Sequence, residues 1–233
     1  MPNDINENVV VDTILRASPQ FCIFYKKERL ERLGLLWWYL DATLPVSMVA
    51  YAKVHDYEIH FRRFPESAAD AHVIAHEIMH IIRAEENNIL EIKYSSPEYE
   101  PMAVSLVSLL EDPIVDSYLK KNYHFELHIK YLDVIEHVLK RAIKEPKDEL
   151  SRVKIGFGLA NDMLKWDLVT DKTALDQWEN HLEWITAEYP NIYKICKDVY
   201  CSVKSVGLDS IEKHRTIVNN LINQYGLENI III

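Results

Sequence analysis

Apolar residues return at helical spacing along most of this chain. Between 67 and 86, Ile74, Ile78, Ile81 and Ile82 recur every three or four positions, as on one face of an α-helix. Ser67 followed by Asp70 is a helix-start signature, and no Gly or Pro interrupts residues 68–86. A second run, Met102, Val104, Leu106, Val107, Leu109 and Leu110, follows Pro101, which suits a first helical position, and predicts a buried helix over 100–121. Pro113 has no N–H for the carbonyl of Leu109, so this helix is expected to kink or restart there. Residues 26–41, with Leu30, Leu33, Leu36, Trp37 and Trp38, predict an amphipathic helix in which the tryptophans fill core. Only 46–54 and 57–61, rich in β-branched and aromatic residues around His55 and Asp56, read as strand, turn and strand. Beyond 125 the spacing is helical over 127–143, 150–168, 174–188, 192–206 and 210–225, with breaks near Pro146, Thr170, Pro190 and Gly207. The tail 230–233 is expected to pack on the core or add a strand. The pattern predicts a mainly α fold with a small β-sheet (α+β). Residues 1–147 would form one core and 148–233 a helical region packed on it, with a soft boundary over 125–148.

Composition narrows the class. The chain has 233 residues, 48% of them hydrophobic, enough for a sizeable core. A formal net charge of −10 disfavours nucleic acid or an anionic membrane as a partner. No stretch reaches the ~18 consecutive apolar residues of a membrane span. Cys22, Cys196 and Cys201 form no CxxC pair and no even framework, so a reducing cytoplasm is the expected location. Five glycines, no GxxxxGK[ST] and no GxSxG make phosphate cradles and serine nucleophiles poor candidates, and Gly156-Phe157-Gly158 lacks the third Gly of a dinucleotide fingerprint.

Chemistry concentrates in the first long helix, at His76-Glu77-Ile78-Met79-His80. Positions i and i+4 of a helix lie one above the other, so His76 and His80 can offer imidazole nitrogens to one metal ion. Glu77 is turned about 100° from His76, beside such an ion and placed to accept a proton from water. His72, His76 and His80 follow one another at i+4 steps on a face distinct from the isoleucine stripe. Acidic residues Glu111, Asp112 and Asp116 interrupt the second apolar run, and buried acids need a partner such as a cation.

This HExxH segment resembles the active-site helix of the zincin superfamily of zinc metallopeptidases. The longer metzincin form is absent, because Arg83 and Glu86 stand where its Gly and last His would be. The nearer resemblance is to the gluzincins, whose third zinc ligand is a Glu on a later helix. It implies a zincin-like core with Zn2+ held by His76, His80 and Glu111, and Glu77 as general base. Glu111 follows His80 by 31 positions (111 − 80). The gluzincin Glu is often followed four residues later by Asp, yet position 115 is Val, whereas Asp112 and Asp116 keep that step. Asp112 and Asp116 therefore stand as alternative ligands or as partners of the ligand histidines, with Asp112 also suited to cap a helix before Pro113. Zincins commonly stabilise the oxyanion with a Tyr or His, which singles out Tyr123 and His124, soon after Asp116. They also place a peptide-binding edge strand before the helix, here 57–61. The expected function is a zinc-dependent metallopeptidase or hydrolase acting on a peptide or protein; the alternative is a non-catalytic regulatory or interaction protein that keeps a metal-binding zincin core. Two histidines and a carboxylate also suit iron or manganese.

Overall fold

A computed structural model describes residues 3–44, 49–139 and 145–233, the side chains of 133, 134 and 136–139 excepted. The chain is mostly helical with a small mixed sheet. It divides into two compact units, Met1–Asn88 with Val115–Val138, and Ile89–Ile114 with Leu139–Ile233.

The first unit opens with β1 (Asn3–Asp4), α1 (Glu7–Ala17) and α2 (Pro19–Phe24). Asn6 and Ser18 cap these helices through their side chains. A π-helical turn, Tyr25–Arg29, runs into α3 (Leu30–Arg32), where the helix stops because Leu33 is extended. The single helix expected over 26–41 is therefore replaced by this short helical run and by strand β2 (Trp37–Leu40). Trp-Trp-Tyr-Leu after Gly34 follows β-propensity, and alternation sends Trp38 into the core, 1% exposed, while Trp37 stays at the surface.

Strands β3 (Ala50–Lys53) and β4 (Glu58–Phe61) form the expected hairpin, turning through Asp56 and Tyr57; residues 46–48 of the first expected strand lie outside the described residues. The sheet order is β1-β2-β4-β3, with β2 parallel and β3 antiparallel to β4. The expectation that 57–61 forms an edge is thus corrected. Both neighbours of β4 satisfy its backbone, and the edge beside it is β3.

Helix α4 (Ala68–Glu85) packs on β3 and β4. Ser67 and Asp70 close a capping box at its start, and Arg63 pairs with Asp70 at 2.7 Å. Ile74, Ile78, Ile81 and Ile82 are buried. Glu86 is the C-cap, paired with Arg32, and the chain turns away through Asn87 at φ 55.

After β5 (Lys93–Tyr94), helix α5 (Glu100–Tyr123) begins in the second unit and ends in the first, followed there by α6 (Leu127–Leu139). α5 is unbroken at Pro113, so the expected restart does not occur. The cost of the proline, about 3 kcal/mol, is offset in this helix of 24 residues by the burial of Leu109, Leu110 and Val115 around it. Val104, expected in the apolar stripe, is 55% exposed; the buried line in the second unit runs through Met102, Ala103, Leu106, Leu109 and Leu110.

The rest of the second unit is α7 (Glu149–Trp166), α8 (Lys172–Glu188), α9 (Pro190–Val206) and α10 (Ile211–Tyr225), close to the expected spans. Asp148, Asp171 and Ser210 cap three of these starts, while Gly207 and Gly226, both at positive φ, end two. α9 packs on α7, α8 and α10. The tail adds β6 (Ile231–Ile232), antiparallel to β5. Among the described residues no helix is long and apolar enough to cross a membrane.

Candidate metal centre

α4 and the end of α5 meet in the first unit around one carboxylate. Asp116, fully buried, accepts from His76 Nδ1 at 2.7 Å and His72 Nε2 at 2.9 Å through Oδ1, and from the Tyr131 hydroxyl through Oδ2. Burial alone would raise its pKa. The electrostatic pull and the hydrogen bonds of the His76 and His72 N–H groups prevail and hold the carboxyl well below the usual carboxylate range. His72 is itself buried, which pushes its pKa down against the pull of Asp116. A neutral His72 donates Nε2–H to Asp116 and leaves Nδ1, near the rings of Phe125 and Tyr131, without a hydrogen-bond partner among the described residues.

The same hydrogen bond fixes His76. With Nδ1–H given to Asp116, its Nε2 carries the lone pair and lies 3.0 Å from Nε2 of His80, one helical turn on. Both nitrogens thus converge, rings crossed at 79°. A tetrahedral ion with nitrogen ligands at ~2.0–2.1 Å would set two of them roughly 3.3 Å apart, so this pair fits one ion after a small adjustment. His76 is buried, whereas His80 and Glu77 are only partly covered, so the ligand face of α4 is reachable at its Glu77–His80 end.

Glu111 and Asp112 belong to the second unit. Glu111, 1% exposed, has Oε1 3.5 Å from Nδ1 of His214 on α10. Asp112 accepts from Nδ2 of Asn161 on α7 at 2.8 Å. Because α5 continues through Pro113, Asp112 is a mid-helix residue and not a cap. Tyr123, placed at the end of α5, gives its hydroxyl to Glu28, which also accepts from Tyr118 at 2.6 Å and from Arg32. Burial and the Glu28 carboxylate push the Tyr123 pKa up. His124 is exposed at φ 58, just past the helix end.

Sequence reading missed Tyr131. Tyr131 and His72 complete the Asp116 cluster, and elsewhere in the chain His181 and His214 are buried, 5% and 2% exposed. For His214 the signal was available, since Ile217, Val218 and Leu221 follow at +3, +4 and +7 and all are buried. His137 lies outside the described side chains. No protein-family model, no curated protein and no solved structure matches the chain.

Proposed function

We propose that the chain is a zinc-dependent peptidase or related hydrolase of gluzincin-like organisation. The observation that carries this reading is the pairing of His76 Nε2 with His80 Nε2 at 3.0 Å, with Asp116 on the opposite ring nitrogen of His76. A carboxylate on a ligand histidine fixes the metal-binding tautomer and raises ring basicity, and its loss typically costs 10–100-fold in affinity. Glu111, a buried carboxylate one helical turn and more before Asp116 on α5, is proposed as the third ligand, with Asp112 beside it as the alternative. Zinc held by these residues would polarise a carbonyl and acidify a water.

Each residue of the chain then has its own task. His76 and His80 would hold the ion through Nε2. Glu77, on the same helix and partly exposed, takes the proton from the attacking water at a carboxylate oxygen and passes it to the leaving amine. The proposed substrate is a peptide or protein rather than nucleic acid, given the charge of −10, and the proposed compartment is the cytoplasm. An extended peptide would pair with β3, the strand of the β4 hairpin that has an open edge.

The test is peptide hydrolysis by the purified chain and its Glu77→Gln variant. The variant is expected to keep its metal and to lose at least ~100-fold in rate, the scale of a general-base contribution. Equal rates would exclude Glu77 as the base. Metal binding without hydrolysis of any peptide in a broad library would favour a non-catalytic, interaction role for the same centre.

A further inference from the structure

We propose that the open edge of β3 selects extended peptides by an aromatic side chain that stacks on Tyr51. The inference deepens the function proposed above and rests on β3 being the strand that pairs with the substrate. Tyr39 on β2, His60 on β4 and Tyr51 on β3 are direct cross-strand partners. Alternation puts all three on the face opposite to that of the buried Trp38, Ile59 and Phe61. Their rings stand nearly parallel, with centroids 4.9 Å apart between Tyr39 and His60 and 4.8 Å apart between His60 and Tyr51. Those separations match the ~4.8 Å between neighbouring strands, so the stack runs across the sheet, one ring per strand. His60, enclosed in the middle, is 2% exposed. Tyr51 ends the stack: it is partly exposed, and among the described residues no ring packs on its far side.

The backbone of β3 favours a partner in the same register. Arg62 N–H donates to the carbonyl of Val49 at 2.9 Å, which makes these two a hydrogen-bonded pair of the antiparallel β3–β4 ladder. Such pairs alternate, so Tyr51 also turns its polar backbone toward β4, while Ala50 and Ala52 turn theirs to the open edge. An antiparallel peptide would bond to Ala50 and Ala52 and meet Tyr51 at the position between them. There opposed Cα atoms come within about 4.5 Å and side chains are closest. A ring at that position continues the stack at its own spacing. An aliphatic side chain of the same size buries a similar area but lacks the ring–ring attraction, which is worth about 3–10-fold in affinity.

The test uses fluorescein-labelled, strand-length peptides of alternating Thr and Ser with either Phe or cyclohexylalanine at the centre. They are titrated with the full chain in the presence of Zn2+, binding is read as fluorescence anisotropy, and circular dichroism checks that each variant folds. The expected result is an affinity about 3–10-fold higher for the Phe peptide, a preference kept in Tyr51→Phe and lost in Tyr51→Leu. Ala52→Pro removes an N–H that the sheet does not use, so it suits an edge strand, and it is expected to abolish binding of both peptides. Equal affinities for the two peptides, no binding of either, a preference that survives in Tyr51→Leu, or unchanged binding to Ala52→Pro would each overturn the proposal. If Tyr51→Leu does not fold, the wild-type comparison and Ala52→Pro decide. Binding is read without turnover, which keeps the two readings apart. A Phe preference that depends on Tyr51 in a chain that cleaves no peptide supports this inference and removes the hydrolase, whereas cleavage with equal affinity for the two peptides removes this inference alone.

Discussion

Asp116 is the residue through which the proposed centre is most sharply defined. It has no solvent exposure and accepts three hydrogen bonds, two of them from histidines on α4. Burying a carboxylate costs several kcal/mol unless it is paired, so its surroundings have to supply donors, and His72, His76 and Tyr131 do. Asp116→Ala would leave the Nδ1–H of His76 without its acceptor and free the ring to rotate or change tautomer. It is expected to weaken zinc binding about 10–100-fold in a chelator competition while retaining some binding, because His80 and His76 remain. Undiminished affinity would separate the Asp116 cluster from metal binding. Much of this centre could be read from spacing alone, since i+4 steps put His76 and His80 together and a carboxylate beyond Glu111 suggested a partner for a ring N–H. Tyr131 could not be, because only the return of α6 brings it to Asp116, 15 residues on.

At the scale of elements, helix ends were legible and strand neighbours were not. Asp148, Asp171 and Ser210 cap where local chemistry favours capping, and Gly207 and Gly226 take positive φ at low steric cost, so the boundaries of α7 to α10 follow from short windows. The run 26–41 misleads because Leu and Trp at that spacing suit a helix face or alternate strand positions equally, and the extended Leu33 before Gly34 decides. The rank of β4 in its sheet depends on a parallel neighbour from 21 positions earlier (58 − 37), which no local pattern encodes. Gly156 shows how closely two elements are fitted: a Cβ there would sit 2.5 Å from Cγ2 and 2.9 Å from Cβ of Ile195, between α7 and α9. Ile195 is β-branched and held on a helix, so it has little room to yield. Gly156→Ala is expected to destabilise the chain by about 1–3 kcal/mol. Gly158→Ala, on the same helix with nothing within 4 Å, is expected to stabilise it by about 0.5–1 kcal/mol through helix propensity. Thermal or urea unfolding of the two variants checks the pair, and the same sign in both would contradict this packing.

For the molecule as a whole, the chain passes between its two units at three points, so Ile89–Ile114 folds with the C-terminal helices. Each unit buries titratable groups whose state ties stability to pH. In the second unit His181, 5% exposed among Trp178 and Trp184, has its pKa pushed down by burial, partly opposed by the charge of Asp162. The unfolded chain protonates this ring near ~6.5 while the folded chain resists. Stability from this source is therefore complete above about pH 6.5 and is lost as pH falls from there toward the lower folded value. Unfolding midpoints in chelator are expected to fall between about pH 7.5 and about pH 5.5, and to fall less in His181→Leu; an identical pH profile in that variant would exclude the ring as a source. The account as a whole stands on a metal ion held by α4. Its most direct measurement is the metal content of the full chain, purified without chelator or added metal, beside His76→Ala and His80→Ala. About one zinc per wild-type chain and a near-empty site in both variants is the expected result, together with a lower melting temperature in the variants, since an ion bound only by the folded state stabilises it. Wild-type protein without metal that also fails to take up added zinc, or equal metal content in all three proteins, would contradict it.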